Sequence, residues 1–208
     1  MQARCRICLA LVNRLPMHMN LLDIRTLASG TSRQKEAFQA LTDTQVFEHL
    51  KEYSPVLAGT IPLDVDIPES DLDVICSSDN LEKFAMEVEK HFGNEEAFSV
   101  HHTVKRDQPT VIARFKAKGF QFEIFAQTAS VFTQPAVVHM LIEARLLSFA
   151  PPEAKAKIRQ LKHSGLKTEP AFAETFALEG DPYEELLRIA RLPDHEILMI
   201  AHNYRWMH

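Results

Sequence analysis

Asp71-Leu72-Asp73-Val74-Ile75 places two carboxylates two residues apart at the mouth of an apolar run. In a β-strand such residues leave the same face. Asp71 and Asp73 would therefore stand side by side, with Leu72 and Val74 turned into a core. Two neighbouring carboxylates repel each other, and burying them without a partner is costly. A divalent cation is the simplest compensation, and an all-oxygen ligand set suits a hard ion, Mg²⁺ or Mn²⁺. The structural alternative is that Asp71 caps a turn and Asp73 pairs with a basic residue. Upstream, Gly59-Thr60 forms a small-residue turn, and the spacer that follows carries Pro62, Pro68 and the acids Asp64, Asp66 and Glu69.

The acids need a strand beneath them and a sheet around it. Ser54 to Ala58 reads as a strand delivering Gly59-Thr60, and Leu72 to Cys76 as a buried one. Phe98 to Val104, Thr110 to Phe115 and Phe120 to Phe125 are rich in β-branched or aromatic residues, with Lys118-Gly119 as a hairpin turn. Helices are predicted at Leu21 to Ala28, Arg33 to Leu41 behind a Thr31 or Ser32 cap, and Thr42 to Lys51. Leu81, Phe84, Ala85, Val88 and Phe92 recur at helical spacing between cap residues and Gly93. From Gln134 onward the chain reads as helical: Pro135 to Phe149, Pro152 to His163, Glu169 to Leu178, Tyr183 to Leu192 and His195 to Asn203.

A Gly-Thr turn, a spacer and Asp-hydrophobic-Asp-hydrophobic resemble the signature of the nucleotidyltransferase superfamily, the polymerase-beta-like fold. That resemblance implies a third acid between hydrophobics on a later strand, here Phe122-Glu123-Ile124. More narrowly, the segments SGTSRQKEAFQAL, LAGTIPLDVDIPESDLDVIC, HMLIEARLL and GLKTEPAFAE resemble a group of small bacterial nucleotidyltransferase-like proteins classed as a domain of unknown function. The resemblance spans roughly Asn20 to Leu192. It implies an α+β fold: a mixed β-sheet core with helices on one side and a C-terminal helical part. The expected organisation is an N-terminal extension over 1–18, a nucleotidyltransferase-like core over 19–133 and a helical region over 134–208.

The activity implied is transfer of a nucleoside monophosphate from a nucleoside triphosphate to a hydroxyl acceptor. Asp71, Asp73 and Glu123 would be the catalytic and metal-binding set, with Glu123 completing a second metal site or acting as general base. Gly59 lets backbone approach phosphate without a Cβ, and Thr60 offers an N–H and a hydroxyl. Lys167, at a helix entrance, would meet phosphate or be a surface lysine. Lys105, Arg106, Arg114 and Lys116 are further basic candidates. His139 and Glu143, one helical turn apart, could pair. The Thr60 methyl crowds a phosphate, and acids in the spacer would weaken anion binding unless they face solvent or metal.

A net charge of −5 argues against bulk nucleic-acid or anionic-membrane binding. No apolar run approaches the roughly 20 residues of a spanning helix. Ile7 to Val12 is too short for a signal-peptide core. The three cysteines suit a reducing compartment, so the expected location is cytoplasmic. Cys5 and Cys8 form a lone CxxC without further ligands nearby. Two other readings stand beside the enzyme: a degenerate nucleotide- or metal-binding module, and an interaction protein. Ile197, Leu198, Ile200 and Trp206 would give the latter a homodimer surface.

Overall fold

The structure is a computed structural model that describes residues 21–202 and 204. The N-terminal extension, the Cys5/Cys8 pair, Asn203 and Trp206 lie outside the described residues.

Five strands form where apolar residues alternate or run together: β1 (Val56–Ala58), β2 (Leu72–Ser77), β3 (Glu96–Lys105), β4 (Gln108–Ala117) and β5 (Phe120–Gln127). They make one mixed sheet in the order β1-β2-β5-β4-β3. Only the central pair, β2 and β5, is parallel; the other three pairings are antiparallel. Both tight hairpins use two left-handed residues, Arg106-Asp107 and Lys118-Gly119. That geometry matches the right-handed twist of the strands they join.

The helices are α1 (Ser32–Asp43), α2 (Val46–His49), α3 (Leu81–Phe92), α4 (Pro135–Phe149), α5 (Glu153–His163), α6 (Thr168–Phe176), α7 (Pro182–Ile189) and α8 (Asp194–His202). Helix α1 opens on a full capping box between Thr31 and Gln34. Asn80 caps α3, and Asp181 caps α7 ahead of Pro182. Two expectations differ from the structure. The helix expected through Lys51 is broken: left-handed Gln45 interrupts it, leaving the short α2 and a 3₁₀ turn at Lys51–Tyr53. Likewise Leu21 to Ala28 becomes a 3₁₀ helix over Ile24–Ser29.

The sheet separates two cores. On one face Leu72, Val74, Phe122 and Ile124 pack with Ala37 and Leu41 of α1 and Phe84, Val88 and Phe92 of α3. Phe92, Phe115 and Phe122 stack in sequence, with centroids 4.9 and 4.7 Å apart. On the other face Val56, Ala58 and Ile75 meet the C-terminal helices. Helix α4 is the axis of that second core. Val137 through Leu146 are buried without interruption, so α4 has no polar face to give to water. This makes the fold α+β.

Of the residues expected to form a dimer surface, two are engaged within the chain. Ile197 is fully buried in the chain's own core, and Ile200 packs against the same cluster. Among the described residues no helix is long and apolar enough to cross a membrane.

Candidate active site

Period-two alternation decides what faces the cleft. With Leu72, Val74, Phe122 and Ile124 committed to the first core, Asp73 and Glu123 must leave the opposite face. Parallel pairing then places them level, because Asp73 and Glu123 are Cα partners across β2 and β5. Asp71 lies just before β2. Between this face and the helices opens a cleft of about 960 Å³. Gly59, Thr60, Asp71, Asp73, Glu123 and Lys167 all line it.

Gly59 has a left-handed backbone, with φ +80°, and a Cβ there would sit 2.2 Å from Asp73 Oδ2. The glycine is thus required twice, for its conformation and for the carboxylate lying on it. Thr60 is nearly buried, and its hydroxyl donates to Ser70 Oγ at 3.2 Å, so the side chain is used inside the loop. The Ile67 N–H and Lys162 Nζ donate to the same Ser70 oxygen.

Burial pushes the Asp73 carboxyl up to about 8, and the charges of Asp71 and Glu123 push the same way. Lys162 offsets this only in part. Neither Asp71 nor Asp73 joins a salt bridge among the described residues. An uncompensated carboxylate pair of this kind fits a hard cation. Glu123 behaves differently: the Arg114 guanidinium, its cross-strand partner on β4, holds it in an ion pair. Arg114 also approaches His101 Nε2 at 3.4 Å. Accordingly, no group of three or more His, Cys, Asp or Glu among the described residues is arranged to hold a metal ion. The two aspartates fit a cation; Glu123, as it stands, is turned to Arg114.

Of the acids of the spacer, Asp64 is turned to α5. Lys155 Nζ is 3.1 Å from Asp64 Oδ2, and Arg159 binds the same carboxylate, both from α5. Lys162, one turn beyond Arg159 on α5, is 8% exposed and donates to the Val65 carbonyl at 3.3 Å. Burial holds its ammonium pKa below the usual lysine range, against the pull of Asp66, Glu143, Asp71 and Asp73. Nothing in the sequence singled out Lys162. Its only signal was membership of the apolar stripe of α5, where a lysine is unexpected.

The far wall is built from α4, α6 and α7. His139 and Glu143 do not pair with each other. The His139 ring instead reaches Glu169 Oε1 through Nδ1 at 3.2 Å and the Tyr183 carbonyl through Nε2 at 3.1 Å. A carbonyl only accepts, so Nε2 carries a proton. The Glu169 carboxyl is held below its usual range by the His139 hydrogen bond, although burial works against this. Glu143 is 3% exposed and its Oε1 has no partner; burial holds its carboxyl well above the carboxylate range.

A family model described as a domain of unknown function, DUF4269, matches residues 39–189. The chain belongs to that family. No curated protein matches this DUF4269 chain. Among solved structures, the Cid1 poly(U) polymerase with MgGTP bound is 16% identical with a TM-score of 0.49, over 88% of this chain and 54% of that one. The polymerase core of TRAMP, an RNA surveillance complex, is 14% identical with a TM-score of 0.47, over 92% and 65%. The mtPAP structure in complex with CTP is 11% identical with a TM-score of 0.45, over 97% and 45%. The DUF4269 chain spans about half the length of the first of these.

Proposed function

We propose that this chain is a metal-dependent nucleotidyltransferase that moves a nucleoside monophosphate from a nucleoside triphosphate to a hydroxyl acceptor. The observation that carries the reading is one cleft lined by the Asp71/Asp73 pair, the level Glu123 and the Gly59-Thr60 turn. Mg²⁺ or Mn²⁺, when bound by Asp71 and Asp73, would supply charge neutralisation at the phosphate oxygens. Everything else falls to the chain. Gly59 lets the backbone approach phosphate closely, and Lys162 and Lys167 offer positive charge to the triphosphate. Glu123 accepts the proton of the acceptor hydroxyl as its oxygen attacks the α-phosphorus, and pyrophosphate leaves from the opposite side. Holding both reactants against one sheet face removes most of the entropic cost of bringing them together.

The test is incubation with labelled triphosphates, Mg²⁺ or Mn²⁺ and a panel of hydroxylated acceptors. Label transfer that disappears in Asp73→Asn supports the proposal; transfer undiminished in that variant removes it.

A second reading is favoured by one contact. With Glu123 tied to Arg114, the chain could bind nucleotide or metal without turnover, as a degenerate module. Tight nucleotide binding with no product across the panel selects it.

A further inference from the structure

We propose that the outer edge of β3 is an interface where a second copy of this chain pairs, joining two five-stranded sheets into one. The proposal rests on the sheet and on none of the cleft chemistry.

The hairpin decides which backbone groups of β3 are free. Arg106 and Asp107 are both left-handed, so Lys105 and Gln108 close a two-residue turn as a hydrogen-bonded pair. Hydrogen-bonded and open pairs then alternate back along the strand. Ser99, His101, Thr103 and Lys105 spend their N–H and C=O groups on β4, while Val100, His102 and Val104 turn theirs outward. Pro109 agrees with this phase, because it lies opposite Val104 on an open pair that needs no N–H. Strand β3 ends the sheet, and among the described residues nothing bonds those outward groups.

Proteins blunt free edges with prolines, charged residues or bulges. Here the irregularity lies between Glu96 and Ser99, around left-handed Ala97, and leaves Ser99 to Lys105 regular. None of the outward positions is a proline, lysine or arginine. Exposed apolar side chains also gather at this edge. Val104 is 63% exposed on it. Met86 is 69% exposed on α3, one turn beyond Glu82, which reaches His102 Nδ1 at 3.7 Å.

The occupant is a second copy because the edge complements itself. One antiparallel register bonds every outward residue: His102 opposite His102 of the copy, and Val100 opposite its Val104 on both sides of the axis. A slide of one residue sets outward groups against groups already spent on β4. A slide of two sets Val104 against Phe98, whose N–H is spent on the Glu95 carbonyl, or Val100 against the turn residue Arg106. In the full register the copy's Val104 lands beside Val100, which already borders the first core, so the exposed valine gains an apolar cross-strand neighbour. The charges match as well. Glu95 and Glu96 stand at one end of β3 and Lys105 and Arg106 at the other, and antiparallel pairing brings opposite ends together. The two-fold axis is perpendicular to the joined sheet, so both clefts open on the same face.

The test is sedimentation equilibrium of the full chain across the micromolar range, without metal or nucleotide. The expected result is a concentration-dependent dimer. Val104→Lys, at an exposed site, should weaken association about tenfold or more. His102→Pro, which removes an outward N–H and no bond to β4, should weaken it likewise. Met199→Lys, at an exposed residue of α8, should leave it unchanged. Register is read in a Cys5→Ser/Cys8→Ser background under oxidised glutathione. His102→Cys should give a disulfide-linked dimer, because Cα atoms of a hydrogen-bonded antiparallel pair lie about 5.5 Å apart, within disulfide reach. Val100→Cys should stay unlinked, because it faces Val104 of the copy. A monomer at every concentration, a dimer indifferent to Val104→Lys and His102→Pro, or a link through position 100 in preference to 102 overturns the proposal.

Discussion

Asp73 and Glu123 stand side by side as register partners on the parallel strands β2 and β5, and the Asp73 carboxyl lies directly on the backbone of Gly59. This relationship gathers residues from three separate segments into one site. It also makes the site sensitive to single atoms, as follows.

Gly59→Ala introduces a Cβ into space held by Asp73 Oδ2 and forces a left-handed alanine. The expected loss is about 1–3 kcal/mol of stability, read as a lower urea midpoint at unchanged slope. Cation affinity at Asp71 and Asp73 should fall as well, because the carboxylate must move.

Arg114→Met removes the cation that holds Glu123. If Glu123 joins Asp71 and Asp73 around a metal, Mn²⁺ affinity should rise about tenfold, or about 1.4 kcal/mol. Glu123→Gln in the Arg114→Met background should cancel the gain. Calorimetric Mn²⁺ titration of the four proteins checks both, and unchanged affinity in Arg114→Met would place Glu123 outside the metal site.

The pH dependence of stability has a definite sign. The Asp73 carboxyl stands at about 8 in the folded chain against a reference of 3.8. Between those values the folded state keeps a proton that the unfolded state has released. Stability therefore falls as pH rises from about 4 to about 8. Glu143, also raised, acts in the same direction. The urea midpoint should be lower at pH 8 than at pH 6.5, and millimolar Mg²⁺ should flatten the decline by favouring ionised Asp73. Midpoints that rise across that range without Mg²⁺ would contradict the assignment.

His49 acts at the acid end. Its ring stacks on His91 with centroids 4.0 Å apart, and burial followed by the His91 charge lowers its pKa from 6.5. A lowered histidine contributes stability that is complete above about pH 6.5 and is lost as pH falls below it. His49→Gln should flatten this acid limb of the midpoint-versus-pH curve while leaving the alkaline limb in place.

Much of this is legible in the sequence, and for a local reason. The Asp71-x-Asp73 pair, the Gly59-Thr60 turn and Glu123 between Phe122 and Ile124 are short-range patterns. Period-two alternation alone fixes that Asp73 and Glu123 turn away from the core containing Leu72 and Phe122. The Lys118-Gly119 turn and Pro135 at the start of α4 likewise carry their geometry in their own residue types. What sequence could not show was pairing across the chain. His139 and Glu143 have the spacing of a helical pair, yet His139 finds Glu169 on another helix. Asp64 looked like surplus charge until α5 brought Lys155 and Arg159 to it. Arg114 and Glu123 meet only because β4 and β5 pair in that register. Ile197 and Ile200 looked like an interface because apolar spacing does not say which surface covers it.

Phe122→Ala tests the scaffold apart from the chemistry. Phe122 is fully buried and stacked on Phe115, so its truncation should cost about 3–5 kcal/mol of unfolding free energy. A loss below about 1 kcal/mol would mean the sheet is not held from that face.

The most direct measurement is an anomalous-scattering map from crystals soaked with Mn²⁺ and a non-hydrolysable nucleoside triphosphate. We expect a Mn²⁺ peak between the Asp71 and Asp73 carboxylates, with triphosphate running toward Gly59 and Lys162. Mn²⁺ bound elsewhere, or triphosphate bound with both aspartates uninvolved, would contradict it.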